Sequence, residues 1–257
     1  MFTDTHCHLH DPKIDDVRSV VEESLRDGVD IIINMGCCLE TSIIGKQLAE
    51  QFGSVYFAAG FHPSDADKFS ERSADEIKLL CEHEKCVAIG EIGLDRYWKE
   101  NPSVDIQKKC FAAQLRIAKE CKLPVSVHCR EATEIMLNTL KENKENLIYG
   151  GVMHCFAGSK ETARELLNLG FYISFGGTLT FKNAANLLEV AEFVPLERCL
   201  TETDSPYLAP HPLRGTVNQP KNVVLVAQKL AELKNLSVEK TAEAVRKNAL
   251  ELFKKLA

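Results

Sequence analysis

Asp30-Ile31-Ile32-Ile33-Asn34-Met35 and Val55-Tyr56-Phe57-Ala58-Ala59 are short runs rich in β-branched and aromatic residues, separated by an amphipathic stretch from Thr41 to Phe52. Strand, helix, strand in that order implies a crossover that delivers the second strand parallel to the first. Working outward, apolar runs recur at Met1–Thr5, Val87–Glu91, Val125–His128, Ile148–His154, Phe171–Phe175 and Cys199–Thr203. Helical patterns fall between them at Asp15–Asp27, Ser73–Glu84, Val104–Cys121, Glu131–Asn143 and Lys160–Leu169, and two more, Asn218–Leu233 and Ser237–Leu256, close the chain. An open doubly wound sheet usually has fewer strands, whereas eight repeats fit a closed barrel of about 250 residues. Gly90-Glu91-Ile92-Gly93 is not the GxGxxG fingerprint of a dinucleotide fold, and no Walker motif occurs. No linker, low-complexity segment or long charge run interrupts the pattern. The expectation is therefore an α/β protein with one (β/α)8 TIM-type barrel domain over residues 1–257.

Bulk properties narrow the classes. Hydrophobic residues make up 45% and charged residues 26%, the mix of a globular protein that can bury a core without staples. No run of about 18 apolar residues exists, so no spanning helix and no membrane partner are expected. The start, Met1-Phe2-Thr3-Asp4-Thr5-His6, lacks a basic and an apolar region, which leads to the expectation of a cytoplasmic protein. Ten cysteines at irregular spacings, with Cys37 and Cys38 adjacent and no CxxC, read as free thiols rather than a disulfide framework. A net charge of −6 argues against holding nucleic acid by a global basic field; bound cations and a local patch would have to offset phosphate charge.

The residues best able to bind metal sit where the apolar runs end: His6 and His8, His62, Glu91, His128, His154 and Asp204. In a barrel those ends converge on the C-terminal rim, where active sites form. His6 and His8, two apart on an extended strand, face one side and can reach one ion together. His10 lies farther out and reads as surface or a supporting residue. His83 reads as solvated helix surface and His211 as rim structure. Glu91 sits in so apolar a strand that it costs several kcal/mol unless paired or metal-bound; it is either an ion-pair partner of an arginine or a carboxylate bridging two cations. Asp95 reads as a salt-bridge partner or loop cap. Arg130, beside His128, either clamps a phosphate or carboxylate or pairs with Glu131 or Asp95. Cys129 and Cys155, each after a candidate histidine, are expected to alternate into the core. Asp204 is the candidate ligand and water-orienting base; Glu202, of the same parity, either pairs ionically or fixes a histidine tautomer. Arg214 and Asn218 follow in a loop from which they can touch substrate.

Six segments in order, Asp4-Thr5-His6-Cys7-His8-Leu9, Gly60-Phe61-His62-Pro63, Ile89-Gly90-Glu91-Ile92-Gly93-Leu94-Asp95, His128-Cys129-Arg130-Glu131-Ala132, His154-Cys155-Phe156-Ala157-Gly158 and Glu202-Thr203-Asp204-Ser205-Pro206-Tyr207-Leu208, resemble the TatD family of metal-dependent deoxyribonucleases. Pro212-Leu213-Arg214-Gly215 with Asn218 and Pro220 also fits, so the resemblance runs from residue 4 to about 220. It implies a distorted barrel with two divalent cations, one held by His6, His8, Glu91 and Asp204 and the other by Glu91, His128 and His154, with His62 near the scissile phosphate.

The function expected is hydrolysis of DNA phosphodiesters, as a 3′–5′ exonuclease on single-stranded or 3′ ends, by a metal-activated water. Asp204 would accept the proton, Glu91 would bridge the ions, and His62 and Arg130 would orient or stabilise the phosphate. Histidine ligation suits Zn²⁺ or Mn²⁺, and Mg²⁺ remains a working ion for nuclease chemistry. Two rivals stand beside this reading: a metal-dependent hydrolase of a small amide, lactone or phosphoester on the same barrel, and a non-catalytic metal-binding protein. A monomer is the default expectation.

Overall fold

The computed structural model describes residues 1–256; Ala257, the last residue of the expected domain, lies outside the described residues. Eight parallel strands form one sheet in chain order: β1 (Phe2–Cys7), β2 (Val29–Met35), β3 (Val55–Ala59), β4 (Cys86–Asp95), β5 (Val125–Arg130), β6 (Gly151–Met153), β7 (Tyr172–Phe175) and β8 (Cys199–Thr201). The connecting helices are α1 (Val17–Arg26), α2 (Leu39–Gln51), α3 (Glu71–Cys81), α4 (Val104–Cys121), α5 (Thr133–Glu142), α6 (Lys160–Asn168) and α7 (Ala185–Phe193), followed by α8 (Val223–Lys234) and α9 (Val238–Leu252). The architecture is the expected (β/α)8 barrel.

Several helices begin at a side chain that accepts an otherwise unsatisfied amide: Asp16 for α1, Ser70 for α3, Ser159 for α6 and Ser237 for α9. Helix α7 is one that the pattern did not reveal. It has nine residues, no side-chain cap, and the apolar sequence Ala185-Asn186-Leu187-Leu188-Glu189-Val190-Ala191-Glu192-Phe193 with little polar contrast between faces. Packing decides it: Leu187, Val190 and Ala191 are buried.

Two layers of core hold the barrel. Ile31, Ile33 and Met35 of β2 meet Ala58, Ala88, Val152, Tyr172 and Leu200 in a cluster that Phe253 and Leu256, beyond α9, join. Phe253 and Leu256 thus close one mouth of the barrel. The outer layer packs alternate strand residues such as Phe57, Ile89, Ile92 and Ile173 against helix residues such as Phe111, Leu115 and Leu166.

Closure between β8 and β1 is irregular. No ladder joins them among the described residues; a single Cys7–Ser205 bridge does. The seam is sewn by Thr5 Oγ1 donating to Thr201 O at 3.0 Å, Asp204 N donating to His6 O at 2.9 Å and His8 N donating to Ser205 O at 2.7 Å. These bonds set β1's candidate ligands beside Asp204.

Strand β4 does more than expected. It runs on to Asp95, so Glu91 lies mid-strand rather than at its end. A register irregularity between Ile89 and Ile92 shifts the alternation. Ile89 and Ile92 both pack outward, and Glu91 faces the interior. Gly93 permits this course: at φ 143° it pairs with His128, and an added Cβ would lie 2.0 Å from the His128 carbonyl oxygen. Strand β6 is shorter than expected, because Gly150, at φ 78°, turns the chain and leaves Ile148 and Tyr149 exposed.

Candidate metal centre

The barrel's C-terminal rim brings every candidate ligand to one cavity of about 600 Å³, lined among others by His8, His62, Glu91, His128, Arg130, His154 and Asp204, with His6 fully buried beneath. The carboxylate of Glu91 lies at its centre. Its Oε2 is 3.3 Å from His6 Nε2 and 3.6 Å from His8 Nε2. Its Oε1 is 2.9 Å from both His128 Nδ1 and His154 Nε2, and 3.8 Å from His62 Nε2. On the first side, Asp204 Oδ1 completes a set, 3.7 Å from His6 Nε2 and 3.4 Å from His8 Nε2, which are 3.3 Å apart. On the second, His128 Nδ1 and His154 Nε2 are 3.2 Å apart.

These atoms suit divalent cations. Neutral imidazole nitrogens and carboxylate oxygens are the donors zinc and manganese take, and bonds of about 2.1 Å in a tetrahedron put ligand atoms about 3.4 Å apart. Three of the four outer nitrogens face a polar group of the kind that supports ligating histidines, while His6 Nδ1 is buried without a partner. His128 Nε2 lies 3.1 Å from Asp95 Oδ2, and His154 Nδ1 lies 3.3 Å from Glu202 Oε1. His8 Nδ1 faces the Cys37 thiol at 3.6 Å.

Charge follows the same plan. Burial works to raise the Glu91 carboxyl, but His154, His6, His62 and His128 outweigh it and hold it well below the usual carboxylate range. Asp204 is likewise lowered against its burial, by His8 and His6. Both candidate ligands therefore stay anionic. Asp204 sits at φ 54°, a left-handed conformation that Asp tolerates better than most residues. Asn218 braces that turn, its amide donating to Thr203 O at 2.9 Å and Tyr207 O at 2.7 Å.

His62 differs from the other four. Its Nδ1 accepts from the backbone amide of Ser64 at 3.1 Å, which places the proton on Nε2, facing the site. Withdrawal from water pushes its imidazole down to about 4, so the ring is a neutral donor at ordinary pH.

Over residues 3–254 the chain matches the family described as TatD related DNase. The chain belongs to the TatD family of metal-dependent hydrolases. Among curated TatD-type relatives, the uncharacterized metal-dependent hydrolase YabD of Bacillus subtilis is 44% identical, covering 99% of each chain. The uncharacterized metal-dependent hydrolase YcfH of Escherichia coli is 38% identical over 97% of this chain and 94% of its own. The crystal structure of the TatD homologue YjjV of Escherichia coli superposes with a TM-score of 0.92 at 32% identity, covering 98% of each chain. A more distant TatD-family hydrolase structure, from Entamoeba histolytica, has a TM-score of 0.88 at 24% identity and speaks to the fold alone.

Several readings of this TatD chain change with the structure. Arg130 pairs with neither Glu131 nor Asp95; its guanidinium lies 3.6 Å from the Tyr97 ring centre, exposed at the cavity mouth. Cys129, within β5, is half-buried and packs against the outer core as expected, whereas Cys155, past the end of β6 at φ 42°, is half-buried; both line a second cavity of about 330 Å³ with Met136, Met153 and Phe156. Asn218 is buried in its bracing role, and Arg214 lies over Phe181, so neither lines the main cavity. His83 is partly buried in the turn after α3, 3.5 Å from Glu50. His10 borders the main cavity with its Nδ1 3.4 Å from Asn34 Oδ1, and His211 is exposed on the rim. All ten cysteines are free thiols. No helix among the described residues is long and apolar enough to cross a membrane.

Other residues gained a role only in three dimensions. Asp4, fully buried, accepts from Thr203 N at 2.9 Å and His6 N at 3.3 Å, tying together the two segments that carry His6 and Asp204; burial raises it well above the usual carboxylate range. Its parity with His6 and His8 was the available signal. Tyr97, Trp98 and Tyr207 gave none, since exposed loop aromatics have no periodicity to mark them.

Proposed function

We propose that this TatD hydrolase is a deoxyribonuclease, working as a 3′–5′ exonuclease on single-stranded or 3′ DNA ends. The observation that carries the reading is the division of Glu91: one oxygen faces His6 and His8, the other His128 and His154. A carboxylate so placed suits two cations, with His6, His8, Glu91 and Asp204 for one and Glu91, His128 and His154 for the other. Divalent cations bound there would neutralise phosphoryl charge and would make water acidic enough to attack phosphorus at neutral pH.

The chain's own groups supply the rest. Asp204, kept ionised by His8 and His6, takes the proton of the attacking water as its oxygen bonds to phosphorus and the bond from phosphorus to O3′ of the preceding nucleotide breaks, the departing O3′ taking a proton from solvent. His62 offers its Nε2–H to a phosphate oxygen without bringing a charge that would compete with the cations. Arg130 stands at the mouth as a fixed positive charge for the incoming phosphate. The acidic chain, at −6 overall, thus meets an anionic substrate only where cations and Arg130 offset repulsion.

The test is release of nucleotides from end-labelled single-stranded DNA by metal-stripped protein re-supplied with Mg²⁺, Mn²⁺ or Zn²⁺. A metal-dependent ladder that vanishes in Glu91→Ala supports the exonuclease and identifies the working ion. Protein that binds two ions yet cleaves no DNA with any metal is instead a hydrolase of a small amide, lactone or phosphoester.

A further inference from the structure

The main cavity carries a feature that hydrolysis alone does not need. Just past β4, Tyr97 and Trp98 stand 45% and 50% exposed, and Trp98 lines the same cavity as Glu91, His128 and Asp204. Large aromatic rings left in water at the mouth of a polar site mark a contact surface. The two rings meet edge to face, 4.8 Å between centres. The Arg130 guanidinium covers Tyr97 at 3.6 Å and lies 5.5 Å from the Trp98 ring centre, which leaves Trp98 the more open of the two.

The pair is held in place. Asp95 Oδ1 accepts from Tyr97 N at 2.8 Å and from Trp98 N at 3.4 Å, while Oδ2 of the same carboxylate faces His128. One buried side chain therefore anchors both a candidate ligand and the backbone that carries the aromatic pair.

We infer that Tyr97, Trp98 and Arg130 form a stacking platform for the nucleobase next to the scissile phosphate of single-stranded DNA. This rests on the nuclease reading of the site. Every base has a π-face, so a flat aromatic and a guanidinium bind without reading sequence. A base inside a duplex is already stacked on both faces and cannot use the platform. Stacking also supplies affinity that a chain of charge −6 does not draw from its overall field.

Trp98 is the chain's single tryptophan, so its fluorescence reports this one position. The experiment titrates intact protein, in Mg²⁺, with a single-stranded phosphorothioate oligonucleotide that resists hydrolysis, a strand of the same length made of abasic sites, and a blunt duplex. Strong quenching by the first alone is expected. In parallel, turnover of labelled single-stranded DNA is measured for Trp98→Ala and Trp98→Phe, with thermal midpoints checked. The alanine variant should raise KM about tenfold, the scale of one lost base–aromatic stack, with a smaller change in kcat, and phenylalanine should restore most of it. Equal quenching by the abasic strand overturns the platform in favour of phosphate contact. Cleavage of DNA with no quenching and an unchanged KM in Trp98→Ala overturns the platform and leaves the nuclease reading standing. DNA neither cleaved nor bound overturns both.

Discussion

Asp95 Oδ2 lies 3.1 Å from His128 Nε2, on the side of the imidazole opposite Glu91. The carboxylate therefore fixes which nitrogen of His128 points into the site, and makes that nitrogen a stronger donor. Burial works to raise Asp95, but its bond with His128 outweighs it and keeps the carboxyl below its usual value. Asp95→Asn should keep the shape and remove the charge. Metal affinity at the His128 side, measured by competition with a chelating dye, should fall about 10- to 100-fold. A variant that binds metal as tightly as the natural protein would show Asp95 to be only a loop cap.

Glu91→Gln tests the centre more directly. The amide retains one acceptor but no charge, so it cannot serve both donor sets as an anion. Metal content per chain, measured after dialysis, should fall from the natural value, and hydrolysis should drop by at least about a hundredfold, the scale on which loss of even an outer partner is felt. The barrel should stay folded, because the strand around Glu91 is held by Ile89, Ile92 and Leu94 in the outer core. A Glu91→Gln protein with full metal content and full turnover would refute the bridging role.

His62 provides a pH signature. Its ring, pushed down to about 4 by withdrawal from water, is favoured neutral by the fold, while in the unfolded chain it titrates near 6.5. The folded value is the lower one, so His62's contribution to stability is complete above about pH 6.5 and is lost as pH falls toward 4. In metal-stripped protein the urea midpoint should decline across that window. His62→Asn should make the decline shallower, and equal slopes for the two proteins would contradict the assignment.

Phe253 probes the closed end of the barrel. It is fully buried against residues of several strands, so Phe253→Ala should cost about 3–5 kcal/mol by urea unfolding. Metal content should be unaffected, since the cavity lies at the other mouth. A loss below about 1 kcal/mol would mean that the terminal segment merely rests on the barrel.

Much of this was legible in the residues. The alternation of apolar runs and amphipathic stretches determined the barrel, because a strand buried on both faces must be apolar and a crossover helix must be two-faced. The positions of the candidate ligands were equally readable: His6, His8, His62, His154 and Asp204 stand at or just past strand ends and His128 two residues before one, and strand ends meet on one rim whatever the details of packing. The helix Ala185–Phe193 escaped because its faces differ too little in polarity for periodicity to mark it.

What the tertiary structure decided was direction and partnership. The irregularity between Ile89 and Ile92 turns Glu91 inward, in the middle of β4 rather than at its end. Asp95 beside His128, Glu202 beside His154, Asp4 between His6 and Thr203, and Arg130 over Tyr97 join elements far apart in the chain. A pattern of hydrophobicity fixes which face of an element is covered. It carries no information about which polar groups meet across the rim, because those meetings depend on register shifts and loop turns set only when the whole barrel closes.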